Sequence, residues 1–210
     1  MGTARQDAHA QHPRMRGEQR RALILEQAKK LFARQGYAEA SIGALARASG
    51  VTEPILYKHF GSKKKLYQTM LLEIEAQFMQ RFQDLVNCRA EQDLLDCLAN
   101  LLLDYRAAAM ADHESVHVLL RAGLASNDSE TDKLNQAHIK KIFGLVHDLL
   151  TRAHAEGLLG AHLDLTAATW GYLSLLFALQ YRGQMQIFDQ YTEKTIREVN
   201  RLWLQALRSG

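Results

Sequence analysis

The chain has 210 residues, of which 47% are hydrophobic and 23% are charged, as in an ordinary globular protein. This length suffices for one large domain or two small ones with a buried core. No apolar stretch is long enough to cross a membrane, and the start lacks the apolar segment of a signal peptide. We therefore expect a cytoplasmic protein without a membrane-spanning helix.

Charge is distributed unevenly along the chain. Residues 1–65 hold 13 Lys and Arg against 5 Asp and Glu, a net charge of +8, whereas residues 66–210 hold 13 against 18, a net charge of −5. A basic N-terminal part joined to an acidic remainder indicates a polyanionic partner for the first part alone.

The positions of the prolines and cysteines indicate the fold class and the state of the thiols. The two prolines stand at positions 13 and 54, so the chain after Pro54 is free of the strongest helix breaker and we expect an all-α protein. Cys88 and Cys97 are nine residues apart, which matches neither a metal site nor a disulfide framework. We expect both as buried or half-buried thiols.

The chain begins with a polar segment that is followed by a predicted helix. Residues 1–17 are polar and without periodicity, which predicts a disordered basic arm. The alternative is an arm that contacts DNA phosphates or the minor groove. Apolar residues at helical spacing, from Ile24 to Phe32, then predict a helix over 18–35, ended by Gly36.

Two short helices joined by a tight turn are predicted next. Ser41 and Thr52 are N-cap candidates for these helices, and Gly50 between them can adopt the positive φ of a tight turn. Pro54 falls in the first turn of the second helix, where its missing N–H is no loss. This is the helix-turn-helix pattern, and we place the helix-turn-helix domain at residues 18–65.

These residues resemble the TetR family of bacterial repressors. The run from Gly50 to Phe60, followed by Ser62-Lys63, is similar to the family's recognition helix and the start of its next helix. The resemblance covers roughly residues 20 to 70. It implies a three-helix DNA-binding domain followed by a larger helical domain, residues 66–210, for ligand binding and dimerisation. The upstream positions that fit are Ile24-Leu25, Ala28, Leu31-Phe32 and Gly36-Tyr37.

A recognition helix presents its N-terminal side chains to base edges in the major groove. A carboxylate, an ammonium group and apolar side chains can contact cytosine, guanine and the thymine methyl group, respectively. By position these candidates are Glu53, Pro54, Ile55 and Lys58. The resemblance implies phosphate contacts from Ser41, Thr52, Tyr57, His59 and Lys63.

A run of three lysines, Lys63 to Lys65, stands in the first turn of the following helix, where the helix dipole disfavours cations. This placement favours a DNA backbone contact, for which we select Lys63 and Lys64; a solvated charge run is the alternative. Gly43 departs from the family pattern, since many members carry a longer polar side chain there. Ile55 also departs, so the operator sequence is not carried over.

Apolar periodicity downstream predicts six further helices. They cover about 62–86, 91–110, 113–124, 130–156, 165–182 and 189–208. In the first of these, the inward stripe runs from Leu66 to Leu85. The helix at 165–182 is apolar almost all round and needs cover on all sides. A homodimer through the last two helices supplies that cover, as the resemblance also implies; packing within one subunit is the alternative.

Residues His113-Glu114-Ser115-Val116-His117 match the H-E-x-x-H motif, in which two histidines one helical turn apart bind zinc and the glutamate acts as a base. A zinc hydrolase is therefore the rival hypothesis, and a metal-sensing site a second one. Since no strand is predicted to form the cleft of such an enzyme, we favour unliganded helix residues. We expect no metal, no cofactor and no enzymatic activity.

The resemblance further implies a pocket for a small apolar or amphipathic effector in the acidic part. Large or polar-tipped residues near the middle of helices are the candidates. They are Phe78, Leu101, Tyr105, His117, Phe143, His147, Trp170 and Phe177. The resulting prediction is a homodimeric repressor that binds an inverted-repeat operator in double-stranded DNA and is released by the effector.

Overall fold

The computed structural model describes residues 17–125, 129–185 and 192–209, so the arm predicted at 1–17 lies outside this part except for its last residue. The described residues form helices and no strand, which confirms the predicted all-α class. None of these helices is both long and apolar enough to span a membrane. The helices are α1 (Gly17–Glu39), α2 (Ile42–Ala48), α3 (Glu53–Phe60), α4 (Lys63–Ala90), α5 (Leu94–Met110), α6 (His113–Ala125), α7 (Ser129–Ala155), α8 (Leu165–Met185) and α9 (Glu193–Arg208).

Helix α5 begins three residues later than predicted. The carboxylate of Asp93 accepts hydrogen bonds from the backbone N–H groups of Leu95 at 2.8 Å and Asp96 at 3.1 Å. This N-cap satisfies donors that have no partner within the helix. The start expected at residue 91 was therefore wrong, because the capping side chain determines where the helix begins.

Helix α4 is longer than predicted, and the buried residue near its end is Val86 instead of the predicted Leu85. The helix continues to Ala90, and Val86 is buried whereas Leu85 is 38% exposed. Val86 and Ala90 lie one turn apart on the inward face, so Cys88 between them is exposed. The expectation of a buried or half-buried thiol was thus wrong for Cys88.

Cys97 is buried, and burial raises the pKa of its thiol to about 11.

Two hydrophobic cores share α4. The N-terminal core consists of residues from α1, α2, α3 and α4 up to Ile74, together with Val118 and Ala122 of α6. The C-terminal core begins on α4 at Phe78 and continues through α5, α7, α8 and α9. The transition between the cores therefore lies inside one continuous helix. The domain boundary at residue 65 stays a prediction.

Candidate nucleic-acid interface and ligand cavity

The helix-turn-helix consists of α2 and α3. The hydroxyl of Ser41 caps α2 by accepting a hydrogen bond from the Ala44 N–H at 3.1 Å, and Gly50 in the turn has a φ of 64°. Leu56 and Phe60 anchor α3 in the N-terminal core. The short helix is thus held by two inward side chains, and its opposite face is presented outward.

The outward face of α3 carries the predicted DNA contacts. Tyr57 is 48% exposed, and the hydroxyl of Thr52 makes no capping hydrogen bond although this residue occupies the N-cap position. A phenol and a hydroxyl at these positions can donate hydrogen bonds to phosphate oxygens. The other exposed residues predicted there are Glu53, Pro54 and Lys58, while Ile55 and His59 are half-buried.

The lysines at the start of α4 have different surroundings. The ammonium group of Lys63 donates to the carbonyl oxygen of Ala38 at 3.2 Å and lies 4.5 Å from the centre of the Tyr37 ring. Lys64 forms an ion pair with Glu130 of α7 at 3.2 Å. Lys63 is thus positioned by the DNA-binding domain itself, whereas Lys64 reaches across to the C-terminal part.

Gly43 of α2 lies against the ends of two flexible side chains. A Cβ atom on Gly43 would lie 3.0 Å from Oε1 of Glu53 and 3.5 Å from Nη1 of Arg47. A longer side chain here would therefore compete for space with Glu53, the first residue of α3. The Glu53 carboxylate of α3 therefore lies beside the position at which α2 has no side chain.

A cavity of about 160 Å³ lies in the C-terminal part, between α4, α5, α6, α7 and α8. Three of the eight predicted effector contacts line it, namely Phe78, Tyr105 and Phe177. Its walls are mainly apolar, with contributions from Leu173 and Leu176 of α8. Such a concave, mainly apolar site with a few polar groups is typical of small-molecule binding sites.

The other five predicted contacts lie elsewhere. Leu101 is buried in the C-terminal core, and His117 is half-buried on α6, where desolvation and then the nearby Arg121 charge lower its pKa. The remaining three form an aromatic cluster between α7 and α8, with ring centroids 5.8 Å apart for Phe143–His147 and 5.4 Å for Phe143–Trp170. Mid-helix position alone does not say which face of a helix turns toward a cavity.

Five polar residues of the cavity were not among the predicted contacts, namely Glu75, Asn135, His138, Lys141 and Gln180. Glu75 is buried, with 8% exposure, and both of its carboxylate oxygens accept from the Lys141 ammonium group at 2.9 Å. Nδ1 of His138 lies 3.6 Å from Oε1 of Glu75. A signal for Glu75 was present in the sequence, because it stands four residues after Leu71 and three before Phe78, on the apolar face of α4.

The H-E-x-x-H residues do not assemble a metal centre. The rings of His113 and His117 lie 6.4 Å apart and nearly parallel, at an angle of 8°. Across the described ranges, no group of three or more His, Cys, Asp or Glu side chains is arranged to hold a metal ion. A structural or catalytic zinc ion requires three or four protein ligands, so this geometry gives no support to a zinc hydrolase.

Comparison with known proteins agrees with this helix-turn-helix assignment. A family described as bacterial regulatory proteins, tetR family, matches residues 24–70, which comprise most of the N-terminal core. This match identifies a DNA-binding helix-turn-helix of the TetR type in the N-terminal part of the chain. The curated proteins that match are described as transcriptional regulators or activators.

Among curated relatives, the HTH-type transcriptional regulator SrpR of Pseudomonas putida is 25% identical over 79% of this chain and 76% of its own length. Other curated regulators match over only 26% to 40% of their own length. Among the solved structures that share the fold, two are described as FadR regulators. The fatty acid degradation regulator FadR of Bacillus halodurans has a TM-score of 0.72 and 21% identity, over 89% of this chain and 99% of its own. FadR of Bacillus subtilis in complex with stearoyl-CoA has a TM-score of 0.69 and 18% identity, over 90% and 98%.

Proposed function

We propose that the protein is a ligand-responsive repressor, which binds an inverted-repeat operator as a homodimer and is released by a small apolar or amphipathic effector. The observation that carries this proposal is the course of α4. This helix begins with Lys63 beside the helix-turn-helix and forms a wall of the cavity with Leu71, Glu75 and Phe78. At 1.5 Å per residue, Lys63 and Glu75 are about 18 Å apart along one rigid element.

The outward face of α3 is proposed to enter the major groove. Glu53, Pro54, Ile55 and Lys58 then face base edges, and Ser41, Thr52, Tyr57, His59, Lys63 and Lys64 face phosphates. The exposure of Tyr57 and the fixed ammonium group of Lys63 support this orientation. Lys64 can contact phosphate only in exchange for its ion pair with Glu130.

The homodimer is proposed to form through α8 and α9, predicted at about 165–182 and 189–208. Two large apolar side chains on these helices are more than half exposed, Trp170 at 51% and Leu202 at 52%. Along α8, exposed Ser174 and Ala178 follow Trp170 at intervals of four residues and form one continuous face. Small residues beside one large aromatic side chain permit close packing of a second copy.

Effector control is proposed to act through the spacing of the two DNA-binding domains. Binding in the cavity would stabilise a position of α4 in which the recognition helices no longer match successive major grooves, about 34 Å apart. The effector needs to favour that state by about 1–3 kcal/mol, a typical coupling free energy. Compounds with an alkyl chain are the first ligands to test, because the cavity of this chain is mainly apolar and FadR of Bacillus subtilis was solved in complex with stearoyl-CoA, which carries a long alkyl chain.

The decisive experiment is selection of bound duplexes from a random DNA pool at near-physiological salt. We expect enrichment of an inverted repeat, with two half-sites about one helical turn apart. Transcription in vitro from a promoter containing that repeat then distinguishes repression from activation. Failure of a folded dimer to enrich any repeat would contradict the proposed operator.

A further inference from the structure

The cavity contains one buried acid, and this acid is the starting point for its ligand chemistry. Glu75 is 8% exposed and lies among apolar wall residues of α4. The neighbouring His138 ring and the Lys141 ammonium group lower its pKa, while burial acts in the opposite direction. The carboxylate is therefore ionised at neutral pH, and a negative charge is part of the cavity wall.

The counterion of Glu75 is much less buried than Glu75 itself. The side chain of Lys141 is 56% exposed, compared with 10% for Glu75. Lys141 also lines a second, polar groove between α4 and α7, which includes Gln80, Gln83 and Asp148. The lysine can therefore turn from the cavity toward this polar groove once another cation neutralises Glu75, whereas the carboxylate has to remain in the cavity.

The rest of the wall also suits a positive charge. Phe78 and Tyr105 contact each other edge to face, with centroids 5.0 Å apart, and Phe177 completes an aromatic lining. Aromatic faces attract cations, most strongly where water is excluded. An anionic ligand, in contrast, would meet the Glu75 charge at close range in an environment of low dielectric constant.

We propose that the effector is an apolar molecule with a cationic head group, a protonated amine or a quaternary ammonium, which binds Glu75 in place of Lys141. This inference rests on the proposed function, since it names the chemical class of the effector at the same cavity. Lys141 then acts as a displaceable counterion that neutralises Glu75 in the absence of ligand. The apolar body of the ligand is accommodated by the leucine side chains of α8.

Calorimetric titration of the full chain with octylamine, 1-octanol and octanoate tests the head group, because the three probes share one alkyl chain. Near neutral pH the amine is protonated. We expect octylamine to bind about tenfold or more tightly than either of the others, as for a charge-assisted hydrogen bond. Glu75→Gln should reduce its affinity to that of octanol and leave octanol unchanged.

The lysine variant gives the sharpest distinction. Lys141→Gln should strengthen octylamine binding, because it removes the competing counterion, and Lys140→Gln on the exposed neighbour should leave it unchanged. Tightest binding of octanoate, lost in Lys141→Gln, would overturn the proposal. Thermal unfolding and operator binding of the Glu75→Gln variant check that it is folded.

Three further outcomes separate this inference from the proposed function. Equal binding of all three probes, unaffected by Glu75→Gln, would refute the cationic head group and leave an apolar effector cavity standing. Binding of octylamine as expected, without release of the operator, would support the head-group chemistry and contradict control of DNA binding by this cavity. Binding of none of the probes would overturn the head-group proposal while operator selection still tests DNA binding.

Discussion

At the scale of single residues, the surroundings of Lys63 hold its side chain in place for the proposed DNA contact. A cation in the first turn of a helix is disfavoured by the helix dipole by a few tenths of a kcal/mol or more. The carbonyl of Ala38 and the ring of Tyr37 offset this cost and hold the ammonium group in one place. An ordered side chain loses less conformational entropy when it binds a phosphate.

Lys63→Ala should lower operator affinity about tenfold or more at moderate salt, and reduce the slope of log affinity against log salt by about two per dimer. Tyr57→Ala should weaken binding as well, through loss of a phosphate hydrogen bond. Fluorescence anisotropy over a salt series measures both effects. Lys140→Ala, an exposed lysine of α7, is the control. Unchanged affinity in both test variants would contradict the assigned docking.

Asn200 is a buried polar residue that joins α9 to α5. It is fully buried, its Nδ2 donates to the Leu98 carbonyl at 2.6 Å, and its Oδ1 accepts from the Leu102 N–H at 3.3 Å. Asn200→Ala should lower the free energy of unfolding by about 1–3 kcal/mol, because the substitution removes both bonds and leaves a small cavity. Thermal unfolding at fixed protein concentration measures the change. Asn87→Ala, at an exposed position of α4, should change the free energy of unfolding little. An equal loss of stability in the two variants would contradict this prediction.

At the scale of helices, the turn between α2 and α3 depends on one backbone conformation. Gly50 has a φ of 64°, in the left-handed region that side chains with a Cβ rarely adopt. The Val51 N–H then reaches the Ala46 carbonyl at 3.0 Å and closes the turn. The angle between the two helices, and with it the direction of the outward face of α3, follows from this turn.

Alanine substitutions at two glycines should have opposite effects. Gly50→Ala should destabilise the protein by roughly 1–2 kcal/mol, since alanine is strained at this φ. Gly144→Ala should stabilise it by roughly 0.5–1 kcal/mol, because Gly144 lies inside α7 and a Cβ there meets no atom within 4 Å. Chemical denaturation measures both. Stabilisation by Gly50→Ala would show that the turn does not require glycine.

At the scale of the whole molecule, polar contacts join the DNA-binding part to the helices around the cavity. Lys29 of α1 pairs with Asp112, just before α6, at 3.1 Å, and Arg121 of α6 donates to the Ala33 carbonyl of α1 at 3.3 Å. The Lys64–Glu130 pair adds a connection to α7. A displacement of α6 or α7 around a ligand would therefore act on α1 and α4 together.

Trp170→Asp should convert the proposed dimer to a monomer, because a carboxylate would have to be buried without a partner in the proposed α8–α9 interface. Sedimentation velocity should show half the mass, and affinity for the inverted repeat should fall with the loss of the second half-site. Met110→Asp is the matched control, since Met110 is an exposed apolar residue at 57% on α5. Persistence of the dimer in Trp170→Asp would place the interface elsewhere.

Periodicity, caps and turn glycines act over a few residues, so the all-α class, the helix-turn-helix and the order of the helices could be predicted from the sequence. The helix faces that meet became known from the folded structure. It placed Phe78, Tyr105 and Phe177 in one cavity, and it brought Glu75 of α4 against His138 and Lys141 of α7. Contacts between residues more than sixty positions apart depend on how helices pack, and no local pattern records that packing.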